Sequence, residues 1–195
     1  EVVPILCQAP LAQIYPVKVL PADGGGVPLS VIFDGLDHVL SLKMSGALDI
    51  DVVNMSLGAV SLYDGRDTWA DFVTALTDAG ILVVSAAANS GPTPNTIASP
   101  GTADDGITAG GLDYALSSRI TYEFIGLVEM GVPVPGQGLV MRPTTETRVV
   151  NFSSRGPLSD GREGPDLSAL AIWNFLVGPY NGIGWGAGTS FAAPT

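Results

Sequence analysis

Thiol and imidazole are nearly missing from this sequence: its 195 residues include one cysteine, Cys7, and one histidine, His38. A lone cysteine excludes an internal disulfide and any cysteine-cluster metal site. Beside Ile5 and Leu6, Cys7 is expected to be a small buried hydrophobe, not a reactive thiol. Positive charge is scarce too, with 8 Lys and Arg against 19 Asp and Glu and a net charge of −11. A nucleic-acid binder needs a basic face to neutralise phosphates, so nucleic acid is not an expected partner. The same balance argues against anionic membrane surfaces and for an acidic protein kept apart by its own charge. No run approaches the roughly 18 apolar residues of a transmembrane helix, and no signal peptide opens the chain.

What is abundant is small and turn-forming: 25 glycines and 15 prolines, with 46% hydrophobic residues. That suffices for one well-filled, turn-rich domain. Ile14, Val17 and Val19 alternate enough for Gln13 to Leu20 to predict a strand, closed by the loop Pro21 to Gly26. From Pro28, Leu29, Ile32, Phe33, Leu36 and Leu40 recur at helical spacing and predict a helix with one apolar face. Asp51 to Leu57 reads as a strand. Asp67 to Ala79 reads as a helix with Trp69, Phe72, Val73 and Leu76 as its stripe and Gly80 as its terminator. Ile81 to Ala87 is a continuous apolar run, as in a central parallel strand, and Gly106 to Gly111 predicts another. Alternating strands and helices give right-handed βαβ units, hence an α/β fold with a mainly parallel sheet flanked by helices. Ligands bind at the carboxyl ends of such strands, where Ser56-Leu57-Gly58 and Asn89 would share a rim.

Between Asp113 and Val150 the alternation stops. Arg119 to Phe124 and Leu139 to Arg142 read as strands around a Gly- and Pro-rich turn. The segment 113–150 is therefore expected to be an insertion, a β-hairpin lying on the core as a passive decoration, with a part in shaping substrate access as the alternative.

The chain ends in Gly186-Ala187-Gly188-Thr189-Ser190-Phe191-Ala192-Ala193-Pro194-Thr195. Glycines before a helix start allow a tight turn and close approach. Ser190 there is either a cap for free backbone N–H groups or a nucleophile at the positive end of a helix. This stretch resembles the serine motif of the subtilisin-like serine proteases. Three more stretches match that family in order: Val53-Asn54-Met55-Ser56-Leu57-Gly58, Val84-Ser85-Ala86-Ala87-Ala88-Asn89-Ser90-Gly91-Pro92 and Asn151-Phe152-Ser153-Ser154-Arg155-Gly156-Pro157.

The resemblance implies a three-layer fold and an endopeptidase in which Ser190 forms an acyl-enzyme. Asn89 and the Ser190 N–H would hold the oxyanion. Ser56, Leu57 and Gly58, with Ala86, Ala87 and Ala88, would wall the pocket for the residue before the cleaved bond, and Gly58 would leave backbone for an extended substrate strand. Each has a plainer reading: Asn89 as a turn residue, the small residues as close packing. Two departures stand out. Ala88 occupies a position where the family has glycine, and Leu170-Ala171 replaces the proline and glycine expected after Gly164 to Ala169.

The family order is Asp, His, Ser, and neither earlier motif is here. His38 lies about 200° round its helix from Leu36, at roughly 100° per residue, so it should face solvent. Asp23-Gly24 reads as a turn and Asp34-Gly35 as helix. The chain is thus expected to be the later part of a catalytic domain, opening after the Asp and His segments and stopping one turn into the serine helix. Alone it is expected to be inactive. A peptide or protein substrate, an exported enzyme, and no cofactor beyond a possible calcium ion follow from the resemblance. Calcium is frequent in the family, but Asp104-Asp105 alone is a poor site for an ion wanting six to eight oxygens. Two other readings stay open: a non-catalytic relative keeping the groove as a peptide-binding module, and an unrelated α/β binding protein whose Ser190 is only a cap.

Overall fold

In the computed structural model, residues 8–23, 25–60, 64–132, 134–177 and 182–195 are described; Cys7 lies outside them. In chain order the elements are α1 (Leu29–Met44), β1 (Val52–Met55), α2 (Thr68–Asp78), β2 (Leu82–Ala86) and β3 (Ile107–Asp113). Then follow α3 (Ala115–Met130), α4 (Gln137–Met141), β4 (Arg148–Val149), β5 (Leu167–Leu170), β6 (Asn174–Val177), β7 (Ile183–Gly186) and α5 (Thr189–Ala192). Strands β1, β2, β3 and β5 form a parallel sheet in that order, with the short β4 antiparallel on the end of β3. β6 and β7 form a separate antiparallel pair.

The helices form where periodicity and capping agree. Asp67 caps α2, its carboxylate accepting from the Ala70 N–H at 3.1 Å, a contact worth about 1 kcal/mol. Gly80 follows with φ +82, where a side chain would be strained. On one face of the sheet, Ile32, Leu36 and Val39 of α1 pack with Trp69, Val73 and Leu76 of α2 over Met55 and Val83. Strand residues alternate in direction, so Ala86 faces the other way. There it meets Ala109, Val150, Ala171, Ala192 and Ala193 in a layer built almost wholly of methyl groups. That smallness lets α5 settle against β2, β3 and β5.

Two expectations are corrected. Gln13 to Leu20 forms no ladder: it runs as extended, largely exposed chain, with Ile14 at 87% exposure. Its valines lie on α1, where a β-carbon at Gly35 would come 2.5 Å from Val19 Cγ1. The segment after Asp113 is helical, not a β-hairpin. Its β-branched and aromatic residues favour strand, but among the described side chains of α3 the buried ones are Ala115, Ser118 and Thr121. Spacing of three is helical, and small polar residues do not register in a hydrophobic pattern.

The segment is tied to the end of β3. Asp113, at the end of β3, is buried and meets Arg142 Nε at 3.1 Å and Arg148 Nε at 2.8 Å. The Ser118 hydroxyl donates to its other oxygen. Burial pushes the Asp113 carboxyl up, but the Ser118 and Arg148 hydrogen bonds and the charges of Arg142 and Arg148 outweigh it, holding it below the ordinary carboxylate range. Arg119 Nε donates to the Arg142 carbonyl at 2.9 Å, tying α3 to the chain after α4.

Candidate active site

Ser190 is the second residue of α5, not its cap. The cap position belongs to Gly188, whose backbone (φ 151, ψ 154) lies in a region essentially restricted to glycine. The capping bond is supplied from elsewhere. Asn89 Oδ1 accepts from the Thr189 N–H at 2.8 Å and the Thr189 hydroxyl at 3.0 Å. The carboxamide of Asn89 therefore seats the first turn of the serine helix from 100 residues away.

Ser56 meets the same turn. Its hydroxyl donates to the Ser190 carbonyl at 2.7 Å, and the Ser190 hydroxyl donates to the Ser56 carbonyl at 3.2 Å. Asn54 Nδ2 donates to Ser56 Oγ at 3.0 Å. Residues from the ends of β1 and β2 and the start of α5 thus converge at the carboxyl edge of the sheet.

The other residues expected to wall the pocket differ in exposure: Gly58 is exposed, Leu57 and Ala88 are half-buried, and Ala86 and Ala87 are buried. Gly58 is glycine because a β-carbon would collide with the Ser99 carbonyl, which accepts from the Ala59 N–H at 2.9 Å. The Ala86 methyl belongs to the alanine layer, and Ala87, fully buried, packs with Ile97 and Leu158. Leu57 packs at the margin of the main core. Ala88 has φ +85. An L-residue pays about 1–2 kcal/mol to sit there, which is the physical reason glycine suits this position.

Sequence reasoning missed what braces the Asn89 turn. The fully buried Ser154 donates its N–H to the Ala88 carbonyl at 3.0 Å and accepts from the Ser90 N–H on its hydroxyl at 3.1 Å. The Gly91 N–H donates to the Phe152 carbonyl at 2.8 Å. The stretch Asn151 to Pro157 thereby holds the backbone on both sides of Asn89. Only its place among the matched motifs hinted at this.

His38 stands exposed on α1, with Tyr15 Oη 3.1 Å from its Nε2. Asp34 and Asp37 are exposed on the same helix. Asp104 pairs with Arg162 at 2.6 Å while Asp105 accepts from the Thr74 hydroxyl at 2.5 Å. These two carboxylates are drawn to different partners and do not form an oxygen cage. Among the described residues no cluster of three or more His, Cys, Asp or Glu could hold a metal ion. No helix there is long and apolar enough to cross a membrane.

Comparison with known proteins decides the family. A model of the subtilase family matches residues 4–195, nearly the whole chain. The chain belongs to the subtilase family. It is 34% identical to pyrolysin of Pyrococcus furiosus over 192 residues, covering 95% of this chain and 13% of that protein. It is 33% identical to the serine protease AprX of Bacillus subtilis, over 84% of this chain and 32% of the relative. Subtilisin DY of Bacillus licheniformis is 34% identical over 92% of this chain and 65% of its own length. Among solved structures, an S41 psychrophilic protease superposes with TM-score 0.66 at 26% identity, over 95% of this chain and 52% of that one. Sphericase shares the fold with TM-score 0.69. This subtilase chain spans between 13% and 65% of the length of these three relatives.

Proposed function

We propose that this chain carries the nucleophile side of a serine endopeptidase site. In this reading Ser190 Oγ attacks a peptide carbonyl, the leaving amine departs, and water later hydrolyses the acyl-enzyme. Asn89 Nδ2 and the Ser190 N–H hold the oxyanion. The observation that carries the reading is the Asn89–Thr189 bond of 2.8 Å. It fastens one carboxamide oxygen, and it joins two motifs far apart in sequence at the residue before Ser190. A mere turn asparagine needs no such partner.

Ser56, Leu57 and Gly58 on one side, and the backbone around Ala86, Ala87 and Ala88 on the other, flank the reacting bond of a peptide or protein substrate. The hydroxyl of Ser190, now donating to the Ser56 carbonyl, must turn to a base before it can attack. That base is not His38, an exposed side chain held beside Tyr15. In this reading the base and its carboxylate come from a part of the domain beyond these 195 residues, and the chain alone is inactive. Export and calcium binding elsewhere in the full protein rest on the family likeness alone.

The test is peptidase activity of the full-length protein. Ser190→Ala should abolish turnover. Asn89→Ala should lower kcat by about 10²–10³, a magnitude carried over from the corresponding donor in subtilisin. Undiminished cleavage by the Ser190→Ala protein would overturn the reading; peptide binding without cleavage by the unmodified protein would favour the non-catalytic one.

A further inference from the structure

The aromatic side chains after Asp113 do not point at random. Helix α3 lays Phe124 against the β6–β7 hairpin, its ring centroid 6.1 Å from Phe175 and 6.0 Å from Trp185, at interplanar angles of 77° and 90°. Phe175 and Trp185 are direct partners across the hairpin ladder, so one ring braces both strands. One half-turn away on α3, Tyr122 meets Trp173 at 5.2 Å. Trp173 has φ +60 just before β6. A bulky residue is held there only when its surroundings over-determine it.

The hairpin runs straight into the serine turn. A β-carbon on Gly186, the last residue of β7, would lie 2.7 Å from Phe191 Cε2 and 2.9 Å from Leu176 Cδ1. The ring of the residue after Ser190 therefore rests on the hairpin backbone. At the hairpin base the Gly188 N–H donates to the Ala171 carbonyl at 2.7 Å. A two-stranded hairpin is marginal without something packed on it, so the turn it leads into depends in part on what flanks it. Asn89 and Ser56 hold one side. On the other side, contact passes from Phe124 through Trp185 and Gly186 to Phe191.

We propose that Phe124, supported by Tyr122, is a positioning residue for Ser190: the inserted helix fixes the hairpin, and the hairpin fixes the nucleophile turn. The proposal rests on Ser190 being the nucleophile. A shift of about 1 Å in a reacting group can cost around a hundredfold in rate. A loosened rather than displaced turn should cost about tenfold on that scale.

The experiment compares Phe124→Ala and Phe124→Leu in the full-length protein. Phe124 is 39% exposed, so its removal empties no closed core. The alanine variant should lower kcat about tenfold with KM nearly unchanged, and should speed amide exchange from Gly184 to Phe191 while β1 to β3 stay protected. Leucine should restore most of both. Unchanged kcat and exchange would overturn the proposal. So would a change in KM alone, which marks a substrate contact, or faster exchange across the whole sheet, which marks a general stability role. If the unmodified protein proves inactive, the protease reading fails by itself, and the exchange measurement still decides whether α3 holds the serine turn.

Discussion

Ala88 offers a sharp quantitative test because its neighbour provides the control. At φ +85 an alanine costs about 1–2 kcal/mol relative to its preferred regions. Glycine removes that strain but has more unfolded-chain entropy to lose, about 0.4–1 kcal/mol. Ala88→Gly should therefore stabilise the protein by roughly 0.5–1 kcal/mol, a rise in Tm of about 1–4 °C for a domain this size. Ala87 has no positive φ and is fully buried against Ile97 and Leu158. Ala87→Gly loses a buried methyl, worth about 0.8 kcal/mol, and adds the same entropic cost, so Tm should fall by several degrees. The assay is thermal unfolding of the full-length protein with Ser190→Ala in the background, which removes self-digestion on the reading above. Opposite signs at adjacent alanines are the expected outcome. A Tm for Ala88→Gly at or below its parent would refute the backbone argument.

Asp113→Asn should destabilise by about 3 kcal/mol, because Arg142 would be left buried without its counter-charge; a denaturant midpoint within error of the parent would contradict this. Since the folded carboxyl of Asp113 is held below its ordinary value, its contribution is present above the unfolded pKa and is lost as pH falls through the folded one. Stability should accordingly fall on acidification below about pH 4, with a shallower slope in Asp113→Asn; equal slopes would show that Asp113 is not responsible. Ser154→Ala takes the acceptor from the Ser90 N–H, at a cost of about 1 kcal/mol. It should lower kcat more than it changes KM, whereas a pure KM effect would mean that Ser154 does not act through Asn89.

The core of the sheet and the two helices before it were legible because local signals agree there. Asp67 and Gly80 mark both ends of α2, and the stripe Trp69, Val73, Leu76 is the buried one. The four matched motifs also gave the family, which the comparisons bear out. Legibility failed where tertiary contact overrides local preference. Gln13 to Leu20 has strand-like alternation but no neighbour in a ladder, and its valines rest on α1. Arg119 to Phe124 has strand-like composition, yet it lies within helix α3, whose Ala115, Ser118 and Thr121 are buried and whose Ser118 hydroxyl donates to Asp113. The site shows the same division. Asn89 and Ser190 stand out as candidates from their motifs, but the capping bond on Thr189 and the Ser154 brace span 100 and 64 residues and leave no local trace.

Whether Ser190 is the nucleophile is answered most directly by covalent labelling. The full-length protein treated with a fluorophosphonate probe should carry one adduct, mapped by peptide mass spectrometry to Ser190, while the isolated 195-residue chain stays unlabelled. An adduct at any other residue, or labelling that survives Ser190→Ala, would contradict the account.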